Sequence, residues 1–488
     1  MNTKQLFIQT IGCQMNVYDS EQIVSLLKPL GYVSTDALDR ADLVVLNTCA
    51  IREKAVQKAF SFLGRLAELK RKNPRMIIAV GGCVAQQEGR SMLKRAPILD
   101  IVFGTQAVGR LPGMIRRVEA RRCRIIDVAV TDGVEEFDIP DADREREGAS
   151  RFVTIMQGCD NFCTYCVVPY VRGREFSRRP GRILCEIEAL VDAGVREVTL
   201  LGQNVNSYGK KEGLIPFEAL LARINAVDGL HRIRFTTSHP KDLSPGLMSA
   251  FADLEKLCAH IHLPVQSGSN AVLNRMHRRY TREDYLEKVR RLRELRPDIA
   301  VTSDIIVGFP GESRADFEAT LDLVREIEFD GLFAFMYSDR PNAPAARFPD
   351  KVTEDEKKDR LQELLSLQER YTFLKNRALV GTDQEILVDG PSKRQSGQDG
   401  EPPAFRTALT DNDTDACAIH SGAIQWSGRT FGNKIIHFTE TDNAPDFTRD
   451  LTGERILIRV EDAFCHSLRG RPTSRVGHSL KGEDCHAA

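Results

Sequence analysis

FVTIMQGCDNFCTYCVVP, residues 152–169, sets a run of β-branched and apolar residues directly against three cysteines, Cys159, Cys163 and Cys166. The run reads as a buried strand, and the cysteines, spaced C-x3-C-x2-C, fall on the loop that leaves it. In a β/α barrel the functional groups sit in such loops. Three thiolates on one tight loop can clasp a 4Fe-4S cluster, which takes Cys thiolates at close spacing, and they leave the fourth iron open. A structural zinc ion wants four ligands in a closed tetrahedron, and this loop offers no fourth Cys or His.

The alternation of strand and helix continues downstream. EVTLL, RIRFT, IHLPV, VTSDIIV and LFAFMYS are further strand candidates separated by amphipathic stretches, giving six strand–helix units over about residues 151–350. The pattern predicts a parallel, partly closed β/α barrel. Upstream, residues 5 to about 115 give a shorter series: LFIQT, a helix near Ser20–Leu30, LVVL, a helix near Arg52–Lys72, and MIIAV. This βαβαβ pattern means a parallel sheet. A cysteine follows each of its strands at once, Cys13 in TIGCQMN, Cys49 in LNTCAIR and Cys83 in VGGCVAQ. Open α/β sheets bind ligands at their carboxyl edge, so cysteines far apart in sequence can converge there.

Between the two series, VTDGVEEFDIPDADREREGAS (130–150) is acidic and rich in turn formers, as expected of a linker. Beyond the barrel, Leu361, Leu364, Leu367, Tyr371 and Leu374 recur at helical spacing and predict one long helix over about Glu354–Arg377. After Gly381, short β runs (QEILVDG, AIQWSGRT, NKIIHF, RILIRV) read as a small all-β barrel. Pro391–Asp415 is polar and rich in Gly, Pro, Ser and Asp, and reads as a loop or insertion. The fold class is therefore α/β, as a parallel-sheet domain (1–120), a linker (121–150), a partial (β/α)6 barrel (151–378), an all-β module with an insertion at 391–423 (379–472), and a tail (473–488).

A chain of 488 residues accommodates roughly three domains. Its 42% hydrophobic and 28% charged residues fit an ordinary globular protein. No apolar stretch approaches the roughly 18 residues that a bilayer span needs, and MNTKQLFIQTIGCQMN lacks the apolar run of a signal peptide. Twelve cysteines without a secretion signal speak for metal binding or catalysis rather than disulfides. A net charge of −1 does not mark a nucleic-acid binder, so any RNA contact must come from local patches.

C-x3-C-x2-C with Tyr165 before the third cysteine resembles the radical S-adenosylmethionine (SAM) superfamily. The resemblance implies that SAM chelates the open iron and is cleaved to methionine and a 5′-deoxyadenosyl radical. GCQMN, NTCAIR and GGCVAQ resemble the N-terminal domain of the methylthiotransferases. That family implies a second 4Fe-4S cluster on Cys13, Cys49 and Cys83, again with an open iron, a soft-metal position able to hold sulfur. One SAM then methylates the bound sulfur and another supplies the radical. Within the family, the texture of MQGCDNFCTYCVVPYVRGREFSR implies a tRNA substrate, the N6-isopentenyl (dimethylallyl) adenosine beside the anticodon, methylthiolated at C2. The C2–H bond has no useful acidity, so hydrogen abstraction suits it where general base catalysis fails. The implied cofactors are two [4Fe-4S] clusters and SAM.

Other loops match the family pattern: Gly202, Gln203 and Asn204 after EVTLL, Gln266, Ser267 and Gly268 after IHLPV, and Asp304 with the turn Gly308–Glu312 at VTSDIIV. They are candidates for contact with SAM or the adenosine, against the plainer reading that Gly and Pro punctuate turns. PYVRGREFSRRPGR sets Arg172, Arg174, Arg178, Arg179 and Arg182 beside the cluster loop, and RMHRRYTR is a second basic run. Arginines grip phosphates or stack on bases, although such a run can also be a solvated face. The C-terminal module, with GRT at 428–430 and SLRG at 467–470, resembles the TRAM domain of RNA-modifying enzymes. Cys123, Cys185, Cys258, Cys417, Cys465 and Cys485 lack ligand spacing and receive no role, and His260 and His262 are read as packing. The expectation is a monomeric cytoplasmic enzyme that meets the anticodon loop, takes electrons from a separate donor and touches no membrane. Rival readings are methylthiolation of threonylcarbamoyl-adenosine or of a ribosomal-protein aspartate, and a noncatalytic RNA-binding iron–sulfur protein.

Overall fold

The computed structural model describes residues 3–50, 53–130, 148–392, 424–439 and 450–476. Its N-terminal sheet has six parallel strands: β1 (Lys4–Ile11), β2 (Tyr32–Ser34), β3 (Leu43–Thr48), β4 (Ile77–Gly82), β5 (Ile101–Phe103) and β6 (Ile125–Asp127). Their order is β2-β1-β3-β4-β5-β6. β3 and β4 are buried at every position, as central strands covered by helices on both faces must be. The sheet exceeds the βαβαβ expectation because β2, β5 and β6 have three residues each, too few for a periodic signal. β6 falls within the stretch 121–150 read as linker, so the sheet claims Ile125–Asp127, and 131–147 lie outside the described residues.

β7 (Ser150–Thr154) opens the second unit and is followed by a short antiparallel pair, β8 (Met156–Gln157) and β9 (Phe176–Ser177). β10 (Glu197–Leu201) and β11 (Arg232–Phe235) join β7 in the order β11-β10-β7. β12 (His260–His262), β13 (Ala300–Val307) and β14 (Gly331–Met336) form β12-β13-β14. Every pairing within these two sheets is parallel, and a bridge between Ile233 and Leu257 links them. The result is the partial (β/α)6 barrel, with one core in which Val198, Ile233, Ile261 and Val301 meet the surrounding helices. The long helix runs Glu354–Arg377, where the apolar stripe placed it. Leu364 is fully buried in the barrel core and Leu361, Leu367 and Tyr371 pack on it, while Leu374 is 49% exposed and lies off the packed face.

β15 (Asp383–Pro391), β16 (Gln425–Thr430), β17 (Ile435–Thr439), β18 (Arg455–Ala463) and β19 (Leu468–Arg475) close into a five-stranded barrel, ordered β15-β16-β17-β19-β18. Trp426, Ile436, Phe438, Ile456 and Ile458 fill it. β19 stays paired with β18 up to Arg475, past the point where a tail was expected at 473. Its sequence, LRGRPTSR, conceals it, since charges and a proline break the apolar alternation on which a strand reading depends. Of the insertion expected at 391–423, Pro391 belongs to β15, and residues 393–423, like 477–488, lie outside the described residues.

Candidate active site

The N-terminal sheet reverses its strand order between β1 and β3, and α/β sheets bind ligands at such a switch point, beyond the carboxyl ends of the strands. Cys13 lies two residues past β1, and Cys49 and Cys83 directly follow β3 and β4. Two buried carboxamides tie the turns together. Cys13 N donates to Asn16 Oδ1 at 3.3 Å, Asn16 Nδ2 donates to Asn47 Oδ1 at 2.9 Å, and Asn47 Nδ2 donates back to Asn16 O at 2.9 Å. Gly82 makes the third turn possible: its φ is +88°, and a Cβ there would lie 2.2 Å from Thr48 O. A hydrogen bond with the Cys49 thiol, helped by the Arg172 charge, holds Cys13 down to about 6 against its burial, while burial pushes Cys83 up.

This trio faces the barrel domain. Cys13 packs with Met15, Tyr18, Phe152 and Leu201, and Cys83 shares a buried cluster with Val167 and Val171 from just beyond the second cysteine loop. Arg172, read from sequence as a phosphate-gripping residue, is only 3% exposed and reaches Asp19 Oδ2 at 3.1 Å. Arg178 is also drawn inward, to Thr154 O at 2.5 Å and Glu186 Oε2 at 2.9 Å. Arg174, Arg179 and Arg182 remain exposed, so the first basic run is partly an interdomain fastening rather than one RNA-facing surface.

The second trio hangs from β8. Gly158 has φ +73°, and a Cβ there would lie 2.0 Å from Arg174 O, so the loop can turn under β9 only at glycine. Thr164 N donates to Met276 O at 3.1 Å and its hydroxyl to Arg275 O at 2.9 Å, tying the loop to the segment of the second basic run. Within that run Arg278 is buried: Nη1 donates to Cys163 Sγ at 3.5 Å and to Tyr165 Oη at 3.3 Å, and Nη2 to Pro264 O at 2.6 Å. Burial pushes Cys159 up to about 11 and Cys166 up to about 12. Among the described residues no group of three or more His, Cys, Asp and Glu is arranged to hold a lone metal ion. Each trio offers thiols alone, which suits an iron–sulfur cluster with an open iron better than a closed zinc tetrahedron.

Three of the loop residues singled out from sequence carry buried polar atoms that lack hydrogen-bond partners, Gln203 Oε1, Asn204 Oδ1 and Gln266 Oε1. Buried polar atoms are rarely left unsatisfied, so such a group fits a polar ligand, as the amino-acid and nucleoside parts of SAM are. Gln266 is held at φ +75° with its N donating to Asp304 O at 2.8 Å. Asn204 Nδ2 donates to Asp242 Oδ2 at 2.8 Å. Asp304 lies 3.4 Å from His262 Nε2, and His260 and His262 both engage the Thr302 hydroxyl, as packing residues do. A Cβ at Gly202 would lie 2.4 Å from Met156 Cγ, so a side chain there meets Met156. Ser267 and Gly268 turn toward Thr320 of the helix Arg314–Ile327, Gly268 N donating to its Oγ1 at 2.9 Å, so they shape the loop from behind. Glu312 of the Gly308–Glu312 turn accepts from Gly308 N at 2.9 Å and from Arg360 Nη1 at 2.6 Å, which clamps the turn to the long helix.

In the segments that follow β10 and β11, sequence reasoning passed over residues with the same signature, at Asn206 Oδ1, Thr236 Oγ1, Ser238 Oγ and His239 Nε2. His239 Nδ1 accepts from Lys241 N at 3.2 Å, and burial, with the Arg278 charge, holds the imidazole well below its usual range, so it is neutral. The signal available was TTSHP, a polar string at the end of a barrel strand.

The fold and the two cysteine sites define a radical SAM enzyme with an added N-terminal cysteine domain: residues 153–324 match the radical SAM superfamily and residues 5–104 the uncharacterized protein family UPF0004. A radical SAM methyltransferase, TsrM from Kitasatospora setae, solved with cobalamin and a [4Fe-4S] cluster, shares the fold at a TM-score of 0.52 and 14% identity, over 71% of this chain and 77% of its own. The chain belongs to the family of tRNA-2-methylthio-N(6)-dimethylallyladenosine synthases. The synthase of Desulfosudis oleivorans (strain DSM 6200 / JCM 39069 / Hxd3) is 53% identical over 485 residues, covering 99% of this chain and 100% of its own. That of Syntrophus aciditrophicus (strain SB) is 48% identical, over 96% and 95%.

Proposed function

We propose that this chain methylthiolates C2 of N6-isopentenyl (dimethylallyl) adenosine in tRNA. The observation that carries the reading is the placement of Cys13, Cys49 and Cys83 after three neighbouring strands of one sheet and of Cys159, Cys163 and Cys166 on one loop of the adjoining barrel, in a chain 53% identical over 99% of its length to a synthase of that name. Cys159, Cys163 and Cys166 hold one [4Fe-4S] cluster and Cys13, Cys49 and Cys83 the other. When bound, the clusters and SAM supply the radical chemistry that breaks C2–H and the methylthio group that replaces it. The protein's own part is binding, orientation and the exclusion of competing reactions. Gln203, Asn204 and Gln266, with Asn206, Ser238 and neutral His239, offer the polar contacts for SAM and the adenine. Gly202, Ser267, Gly268 and Asp304 set the shape of those loops. Exposed Arg174, Arg179 and Arg182 and the TRAM-like barrel meet the anticodon loop. No helix among the described residues is long and apolar enough to cross a membrane. We infer that the chain works in the cytoplasm as a monomer that completes both sites by itself and takes electrons from a separate protein.

Nucleoside analysis of tRNA from cells lacking the protein tests the substrate: 2-methylthio-isopentenyladenosine disappears and its unthiolated precursor accumulates. An unchanged profile refutes the assignment. The division of labour is tested on purified variants. Cys159→Ala abolishes SAM cleavage, whereas Cys49→Ala retains cleavage and loses sulfur transfer, and normal transfer by both removes the two-cluster scheme. SAM cleavage by the reduced wild-type chain excludes a noncatalytic iron–sulfur carrier.

A further inference from the structure

Arg172 belongs to the barrel domain in sequence and to the N-terminal domain in its contacts. It follows the helix Val168–Val171, whose Val171 packs with Val167 against Cys83 and Ala50, and Thr105 Oγ1 fastens this segment by donating to Val171 O at 2.8 Å. From there the guanidinium crosses the domain boundary and meets Asp19, on the helix that begins after Cys13, at 3.1 Å. Its Nη1 is buried without a hydrogen-bond partner, and its charge acts on the Cys83 and Cys13 thiols alike. A buried cation is costly unless paired, and here the Asp19 carboxylate engages the Nη2 end and leaves the buried Nη1 end without a partner. A forked guanidinium has donors on two sides, so it can hold Asp19 with one and offer the other to a cluster ligand.

The reduction potential of an iron–sulfur cluster is set by net charge and by hydrogen bonds to its sulfurs. A fixed positive charge with an N–H aimed at a ligand sulfur favours the more negative, reduced state and so raises the potential. We propose that Arg172 is a positioning residue for the cluster on Cys13, Cys49 and Cys83: it reaches across the domain boundary to bond the Cys83 sulfur and set that cluster's potential, so the N-terminal site is complete only when the two domains are docked. This rests on the reading of those three cysteines as cluster ligands. The other trio has its own buried arginine, Arg278 against Cys163, but that residue comes from the same domain as its loop, and the cross-domain link is Arg172's.

The test uses the full chain with Cys159→Ala, Cys163→Ala and Cys166→Ala, which leaves a single cluster site, reconstituted anaerobically with iron and sulfide. Iron and sulfide are counted, and the midpoint potential is read by titration followed by electron paramagnetic resonance. In this background R172Q, which leaves the Asp19 carboxylate facing the cluster, lowers the midpoint furthest. R172K keeps the charge without the fork and lowers it less. The double variant D19N/R172Q removes both charges of the buried pair, and its midpoint falls between the parent's and that of R172Q. The double variant also covers the case in which R172Q alone fails to fold, because it leaves no unpaired carboxylate. A double variant with the parent's midpoint overturns the proposal, and so does an R172Q midpoint equal to the parent's. A parent that holds no iron or sulfide overturns instead the reading of the three cysteines.

Discussion

Cys13, Cys159 and Cys166 are one side chain in different electrostatic settings, and the settings predict different chemistry. The thiolate, not the thiol, attacks alkylating agents. Cys13, held at about 6, is largely thiolate near neutrality and partly exposed. Cys159 and Cys166, pushed to about 11 and about 12, remain thiols there. Iodoacetamide added anaerobically to the cluster-free protein therefore labels Cys13 first, and labels Cys159 and Cys166 only as the pH is raised. Peptide mass mapping follows the order, with exposed Cys185 as the reference, and equal labelling of Cys13 and Cys159 near neutrality contradicts it. At this scale the cysteines were legible in the sequence because their chemistry is carried by identity and spacing. Arg172 and Arg278 were legible only as members of basic runs, since a run gives no sign of which guanidinium turns inward. Thr236, Ser238 and His239 were not legible, because a polar string after a strand reads as an ordinary turn until its burial is known.

The elements that carry the second cysteine trio depend on one backbone angle. Gly158 joins β8 to the loop at φ +73°, a region that costs an L-residue about 1–2 kcal/mol. An added methyl would also meet a backbone oxygen, which cannot swing aside as a side chain could. Gly158→Ala is therefore expected to displace the loop from β9 and to halve the iron bound per chain, leaving the N-terminal site loaded. Gly64→Ala is the control, since Gly64 is helical with open space around its Cβ position. There alanine should stabilise by about 0.5–1 kcal/mol. Iron content and thermal melting of both variants check the contrast, and full iron loading in Gly158→Ala would show that the turn tolerates a side chain. The long helix and the barrel strands could be read from sequence because each repeats its period over enough residues. β2, β5 and β6 could not, because their pairing is dictated by longer neighbours, and β19 could not, because ladder hydrogen bonds hold it despite its polar side chains.

The N-terminal domain and the TRAM-like barrel are packed at opposite ends of the central barrel. The cysteine loop and the N-terminal domain occupy the carboxyl ends of the barrel strands, while the TRAM-like barrel is docked at their amino ends. There Arg232, fully buried at the start of β11, donates to Arg429 O at 2.5 Å and to Glu385 Oε1 at 3.2 Å. Arg234 bonds Glu197 Oε2 at 2.9 Å and donates to Thr430 O at 2.8 Å and Phe431 O at 3.2 Å, and Asn376 Nδ2 donates to Phe464 O at 2.7 Å. Domains in one chain move relative to each other unless their interface is extensive or well bonded, and here two buried arginines fix it. Hydrogen bonds to charged groups contribute about 1.5–3 kcal/mol each, so losing both side chains should release the β barrel while the core of each domain survives. The double variant Arg232→Ala, Arg234→Ala is thus expected to be cut by protease in the segment joining the helix Glu354–Arg377 to β15, where the wild type resists. Small-angle scattering should show it expanded. The same variant should cleave SAM at the wild-type rate yet bind tRNA more weakly, because the cysteine loop stays intact while the TRAM-like barrel loses its fixed position. If the double variant kept wild-type compactness and protease resistance, the arginines would not be what holds the module in place.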